Sequence, residues 1–97
     1  VGIEVVVEFR AKPGRRAELE QLLERIVTEQ GPDVPGFLGS TRYETVDDPD
    51  GMVEIARWES AESRAAHIVE SAATGVYAPL VDLLATPARA TVIRRLG

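Results

Sequence analysis

The chain has 97 residues, 44% hydrophobic and 28% charged, which suits one globular domain over 1–97 and excludes a disordered chain. The formal net charge is −5, and Arg15-Arg16 and Arg94-Arg95 are isolated basic pairs, so no basic stripe for nucleic acid is present. There is no cysteine, which excludes disulfides, thiolate metal sites and a cysteine nucleophile and fits a cytoplasmic setting; no signal peptide or membrane-spanning stretch is expected.

Residues Val1 to Phe9 alternate as a strand. Val1, Ile3, Val5, Val7 and Phe9 form an apolar face, and Gly2, Glu4, Val6, Glu8 and Arg10 form a mixed one. Lys12-Pro13-Gly14 breaks it. Arg15 to Gln30 reads as a helix, with Leu19, Leu22, Leu23, Ile26 and Val27 at the spacing of one buried stripe. Gly31-Pro32 ends it. A turn at Asp33–Gly36 leads into a second strand, Phe37 to Val46. The segment Asp47-Asp48-Pro49-Asp50-Gly51 has hairpin-loop chemistry, and Met52 to Trp58 is the third strand. Ser60 is placed to cap the next helix, for which Ala65, Ile68, Val69 and Ala72 are the expected buried stripe. Thr74-Gly75 interrupts it. A further helical piece carries Leu80, Leu83 and Leu84, Thr86-Pro87 stops that piece, and Ala88 to Leu96 is the last strand.

The order β-α-β-β-α-β predicts an α+β fold, the ferredoxin-like plait: a four-stranded antiparallel sheet with helices on one face. The other face is then bare. On so short a chain, a bare and partly apolar sheet face predicts a homodimer that pairs face to face.

Trp58 is the only tryptophan and His67 the only histidine, and they flank one strand-to-helix corner. Trp58 serves equally as core and as a wall for an aromatic ligand. His67 beside an apolar stripe is a candidate base or hydrogen-bond partner, although a lone histidine at a stripe edge is more often simply satisfied by a neighbour. Glu54, Ala56 and Trp58 share a strand face by period two. If Trp58 points inward, so does Glu54, which then needs a partner such as Arg42 on the neighbouring strand. The favoured reading of Glu54 is a surface carboxylate near the solvent end of its strand. Tyr77, at the start of the last helical piece, can hold a phenol or carbonyl oxygen of a ligand or simply pack. Phe37 is expected to pack on the first helix. One histidine without a carboxylate cluster makes a metal site improbable. Ser60 and Ser63 lie in no nucleophile elbow, and Gly36 and Gly39 form no phosphate loop.

Several features in order carry a family resemblance. They are Phe9-Arg10-Ala11-Lys12-Pro13-Gly14, Pro35-Gly36-Phe37-Leu38-Gly39, Asp48-Pro49, Trp58-Glu59-Ser60, His67 nine residues after Trp58, and Ala85-Thr86-Pro87 before the last strand. Over nearly its whole length the chain resembles the antibiotic biosynthesis monooxygenase (ABM) domain of the dimeric α/β-barrel superfamily. The resemblance implies a pairing of two sheets into such a barrel. It leaves function open among cofactor-free aromatic monooxygenases, haem-degrading oxygenases and an isomerase.

The haem-degrading pattern places an asparagine at Val7, a tryptophan at His67 and an iron-ligand histidine near Tyr77; the chain has no asparagine, which argues against that branch. The quinone-forming branch matches at Trp58 and often has an asparagine where this chain has Glu54. With no flavin or nucleotide motif and no metal set, an oxygenase of this type needs no cofactor. Its partners are a small aromatic substrate and molecular oxygen. The expected catalytic residues are His67, Trp58 and Glu54, with His67 the preferred base. The expected substrate-binding residues are Trp58, Tyr77, Val7 and Arg42. A cofactor-free isomerase or cyclase of a small carbonyl compound and a non-catalytic ligand-binding dimer are the alternatives.

Overall fold

The computed structural model describes residues 2–97, so the expectation for Val1 lies outside the described residues. The elements are β1 (Ile3–Arg10), α1 (Arg16–Gln30), β2 (Phe37–Glu44), β3 (Gly51–Trp58), α2 (Ala61–Thr74), α3 (Ala78–Val81) and β4 (Arg89–Ile93). A short 3-10 turn at Gly31–Asp33 follows α1. The strands form one sheet in the order β2-β3-β1-β4, with every neighbouring pair antiparallel. The ferredoxin-like α+β plait expected from the element order is the fold observed. Two strands are shorter than their sequence patterns suggest: β2 stops at Glu44 and β4 covers only Arg89–Ile93.

Period-two alternation sets the two faces of the sheet. Ile3, Val5 and Phe9 of β1 are buried, as are Met52, Glu54, Ala56 and Trp58 of β3. The opposite face carries Val6, Val53 and Ile55, all half-buried, with Glu4 and Glu8 exposed beside them. Val6 pairs directly with Ile55, so the apolar part of this face is continuous across the two central strands. Among the described residues no helix covers it.

The helical layer is filled at one end and hollow at the other. Leu19 and Leu23 of α1 pack with Phe9, Ala11, Met52 and Leu80 into one buried cluster, and Leu19 is wholly buried. This is the stripe expected from the 3.6-residue period. A second cluster, Ile3, Val5, Ala56 and Trp58, lies at the other end of the sheet.

The helix over that second end departs from the sequence reading. Ala65, Ile68, Val69 and Ala72, expected to be buried, are all exposed, Ile68 by 45% and Val69 by 72%. The inward edge of α2 is instead Ser63, Arg64, His67 and Ser71, of which only Ser71 is buried, and of the expected stripe only Ile68 borders the space beneath the helix. Adjacent helical positions differ by about 100°, so a shift of one residue is enough to exchange the stripes. The inward residues are short or polar; His67 reaches Trp58, but none fills the layer as leucines would. A space is left between α2 and the strands.

Capping fixes where α2 starts. Ser60 accepts a hydrogen bond from the Ser63 backbone N–H at 3.1 Å, the N-cap arrangement. Gly75, at φ 69°, ends the helix in the left-handed conformation that glycine adopts at least cost. At the helix start Gly36 allows a close approach. Its φ is 81°, and a Cβ there would lie 2.4 Å from Ser63 Oγ. The loop entering β2 is thereby pinned to the corner that follows Trp58; the Glu59 N–H donates to the Gly36 carbonyl at 2.8 Å.

Candidate functional site

Three of the rows of paired residues on the helix-facing side of the sheet underlie the site. Phe37, Trp58 and Ile3 form the first, Ser40, Ala56, Val5 and Val92 the second, and Arg42, Glu54, Val7 and Ala90 the third. Above them lies a cavity of about 540 Å³, with walls that are mostly apolar. Trp58, His67, Tyr77, Glu54 and Val7 all line it. Arg42 is not among the lining residues; it stands behind Glu54, away from the cavity.

Aromatic rings form a connected wall. Phe37 meets Trp58 edge-on, with ring centroids 5.2 Å apart, so it packs on the tryptophan as well as near the end of α1. Trp58 and His67 are tilted against each other at 5.3 Å, and His67 meets Tyr77 edge-on at 5.9 Å. His67 Nε2 and the Tyr77 hydroxyl share a hydrogen bond of 2.9 Å. Burial holds the His67 pKa below its ordinary value, with Glu70 opposing the shift and Arg64 adding to it. Burial raises the Tyr77 pKa, and the negative charge of Glu54 adds to the rise. A neutral imidazole beside a protonated phenol follows. The bond can run either way. When Nε2–H donates to the phenol oxygen, the Tyr77 O–H is free to donate to a ligand.

Glu54 is the chief correction to the sequence reading. It is not a surface group at the solvent end of β3. Only 9% of the residue is exposed, and it sits mid-sheet, opposite Val7 on one side and Arg42 on the other. Its Oε2 is occluded and has no hydrogen-bond partner among the described residues. Arg42 is the neighbour that pairing predicted, but its Nη1 stays 4.0 Å from that oxygen. Arg42 is engaged elsewhere: it pairs with Glu24 of α1, and its Nη1 donates to Ser40 Oγ at 3.2 Å. Glu54 is thus only partly neutralised. Burial raises its pKa, against the lowering effects of Ser40 and Arg42.

Glu24, Ser40 and Phe37 were not candidates from the sequence. Ser40 lies two residues before Arg42, on the same strand face, so the alternation could have suggested it. Nothing in the sequence links Glu24 to Arg42. Among the described residues no group of three or more His, Asp or Glu side chains is gathered to hold a metal ion, and no helix is long and apolar enough to cross a membrane.

The fold and the cavity define a small α+β domain with an apolar hollow between sheet and helices, and comparison with known proteins names its family. The sequence pattern of the antibiotic biosynthesis monooxygenase (ABM) family matches residues 2–72, and the chain belongs to that family. No curated protein matches the sequence. Among solved structures, the chain is similar to SnoaB, a cofactor-independent oxygenase from Streptomyces nogalater. The TM-score is 0.83 at 19% identity, covering 99% of this chain and 94% of that one. It is similar to Rv0793 from Mycobacterium tuberculosis, with a TM-score of 0.79 at 24% identity, covering 100% and 97%. A conserved protein from Methanosarcina mazei Go1 gives a TM-score of 0.83 at 19% identity, covering 99% and 94%. At these identities the likeness is one of fold.

Proposed function

We propose that the chain is a cofactor-independent monooxygenase that oxidises an anthrone-like aromatic hydroxy compound to its quinone. The observation that carries this reading is the cavity itself: an apolar space walled by Trp58, with a raised-pKa carboxylate in one wall and the His67–Tyr77 pair in another. Membership of the ABM family supports oxygenase chemistry at the family level.

The substrate supplies the electrons. Its flat ring lies against Trp58, and its carbonyl oxygen accepts a hydrogen bond from Tyr77, which is itself held by His67. A base removes a proton from the ring CH₂ group opposite that carbonyl. The resulting carbanion gives its electrons to molecular oxygen, a C–O bond forms, and the peroxide anion takes back the proton held by the base to give a hydroperoxide. The second ring hydrogen leaves with the distal oxygen as water, and the carbon becomes a carbonyl. One oxygen atom ends in the quinone and the other in water, so no outside reductant is required.

Two groups can serve as base. His67 is neutral and able to accept a proton, but its lowered pKa weakens it and its Nε2 is occupied by Tyr77. The raised pKa of Glu54 strengthens that carboxylate as a base. We assign Glu54 the proton abstraction and the His67–Tyr77 pair the substrate oxygen. The apolar walls keep water from the carbanion and favour its reaction with oxygen.

The active form in this reading is a homodimer. Two bare sheet faces pack through Val6, Val53 and Ile55, which leaves the helix-side cavity of each subunit facing away from the interface. An oxygen electrode tests the activity. Anthrones and related phenols added to purified protein should give oxygen uptake and a quinone absorbance without added flavin, metal or nicotinamide. If no member of a broad panel gives oxygen uptake, the monooxygenase reading fails.

A further inference from the structure

Glu54 faces the cavity, and Arg42, its partner on β2, neutralises it only in part. The cavity lining holds two formally charged side chains, Glu54 and Arg64. Arg64 lies on α2, one turn before His67, while Glu54 is on β3 within the sheet. His67 adds no charge, because burial keeps its imidazole neutral. Arg42, the nearest cation to Glu54, is drawn off by Glu24 and Ser40 and stops 4.0 Å from the carboxylate. The sheet-side wall therefore carries an under-neutralised negative charge in apolar surroundings.

We infer that this pocket selects uncharged aromatic ligands that present a hydroxyl or N–H donor to Glu54, and that it rejects aromatic carboxylates. The inference rests on the pocket assigned under the proposed function and names the charge class of its ligand. A donor hydrogen placed against the carboxylate supplies a charge-assisted hydrogen bond, about twice as strong as a neutral one. A ligand carboxylate meets the same wall as a like charge, and a juxtaposition of that kind costs several kcal/mol where water is excluded. Such a ligand binds only by taking up a proton or by turning its acid group toward Arg64.

Calorimetric titration of the dialysed full chain with three matched naphthalenes tests this. The probes are naphthol, naphthamide and naphthoate, each substituted at the same ring position, in mildly alkaline buffer. Naphthol and naphthamide should bind at least about tenfold more tightly than naphthoate, given the size of like-charge repulsion in a desolvated contact. Glu54→Gln is close in shape to the parent and offers both a donor and an acceptor. In that variant the preference should shrink to within about threefold, because a neutral amide no longer repels the acid.

Equal binding of the three probes by the parent protein overturns the inference, including the case in which Arg64 captures the naphthoate. A preference that survives unchanged in Glu54→Gln also overturns it, since the selection then lies elsewhere. Absence of binding by all three overturns it together with the aromatic pocket. Selective binding without oxygen uptake sustains the charge selection while removing the oxygenase reading, so the two failures are distinguishable. The comparison within the parent protein needs no variant and stands even if Glu54→Gln folds poorly.

Discussion

Replacing Glu54 by Gln should make the protein more stable and nearly inactive. The side chain is buried, one oxygen lacks a hydrogen bond, and the nearest guanidinium is 4.0 Å away. A buried polar group left unsatisfied costs about 1–3 kcal/mol. Glutamine keeps the shape and part of that cost but sheds the charge, so we expect a gain of about 1 kcal/mol at neutral pH, at the lower end of the range. For a domain of this length that corresponds to a rise in Tm of about 4–8 °C.

The pH dependence supplies the control. Burial raises the folded-state pKa of Glu54 above its ordinary value of 4.5. Between the two values the folded chain holds a proton that the unfolded chain has lost, so the parent loses stability as pH rises through this window. Below 4.5 both states are protonated and the penalty is absent. The variant has no such titration at this position. The Tm difference should be small in acid and grow as pH rises toward neutrality. Calorimetric melts at one fixed protein concentration across that range measure it. Oxygen uptake should fall by about a hundredfold or more if Glu54 is the base. A variant less stable than the parent at neutral pH would show that Arg42 neutralises Glu54 after all. Full activity would remove it as the base.

Three further outcomes follow from the geometry. Sedimentation at micromolar concentration should give twice the 10.5 kDa chain mass, and Ile55→Lys, in the apolar centre of the bare sheet face, should give monomer; a monomeric parent refutes the pairing. His67→Ala should lower turnover by about a hundredfold, the lower range for losing a positioned acid–base or hydrogen-bonding group. Unchanged turnover would leave Tyr77 acting alone. Trp58→Ala should destabilise the chain by about 3–5 kcal/mol in denaturant melts, as expected for truncating a large buried aromatic. Trp58→Phe should fold and weaken ligand binding more than turnover, and a purely catalytic defect in that variant would contradict the role of Trp58 as a wall.

The sheet and α1 were legible because their patterns are redundant. β1 alternates over its full length, and α1 repeats its apolar spacing through Leu19, Leu22, Leu23, Ile26 and Val27. Helix α2 was misread because two stripes compete on it. Ala65, Ile68, Val69 and Ala72 have the better hydrophobic spacing, yet Ser63, Arg64, His67 and Ser71 face inward. A helix over a cavity feels no pressure to present its largest apolar side chains to the sheet. The sequence cannot show a cavity, because spacing reports direction and not depth. The same limit explains Glu54. Period two placed it correctly on the face of Trp58, but only the register against Val7 and Arg42 shows that it lies mid-sheet. The pairing of His67 with Tyr77 spans the α2–α3 break and has no signal in either helix alone.

The uneven filling of the helical layer ties stability to function. At the α1 end, Leu19 and Leu23 pack with Phe9, Met52 and Leu80 into a buried cluster that borders the cavity. At the α2 end, the inward side chains are too short or too polar to close it, and the cavity persists. An unfilled apolar space forgoes packing energy, and a buried carboxylate adds a further cost. Both costs fall at one cavity, and in the proposed reading a flat ligand with a donor group reduces them: its ring restores missing contacts and its hydrogen meets the accessible side of the Glu54 carboxylate. Selection for stability alone would put a larger apolar residue at Ala56 and a neutral one at Glu54. In the proposed reading such changes would narrow the cavity and remove the base together, so the costly features of the sheet–helix layer coincide with the proposed site.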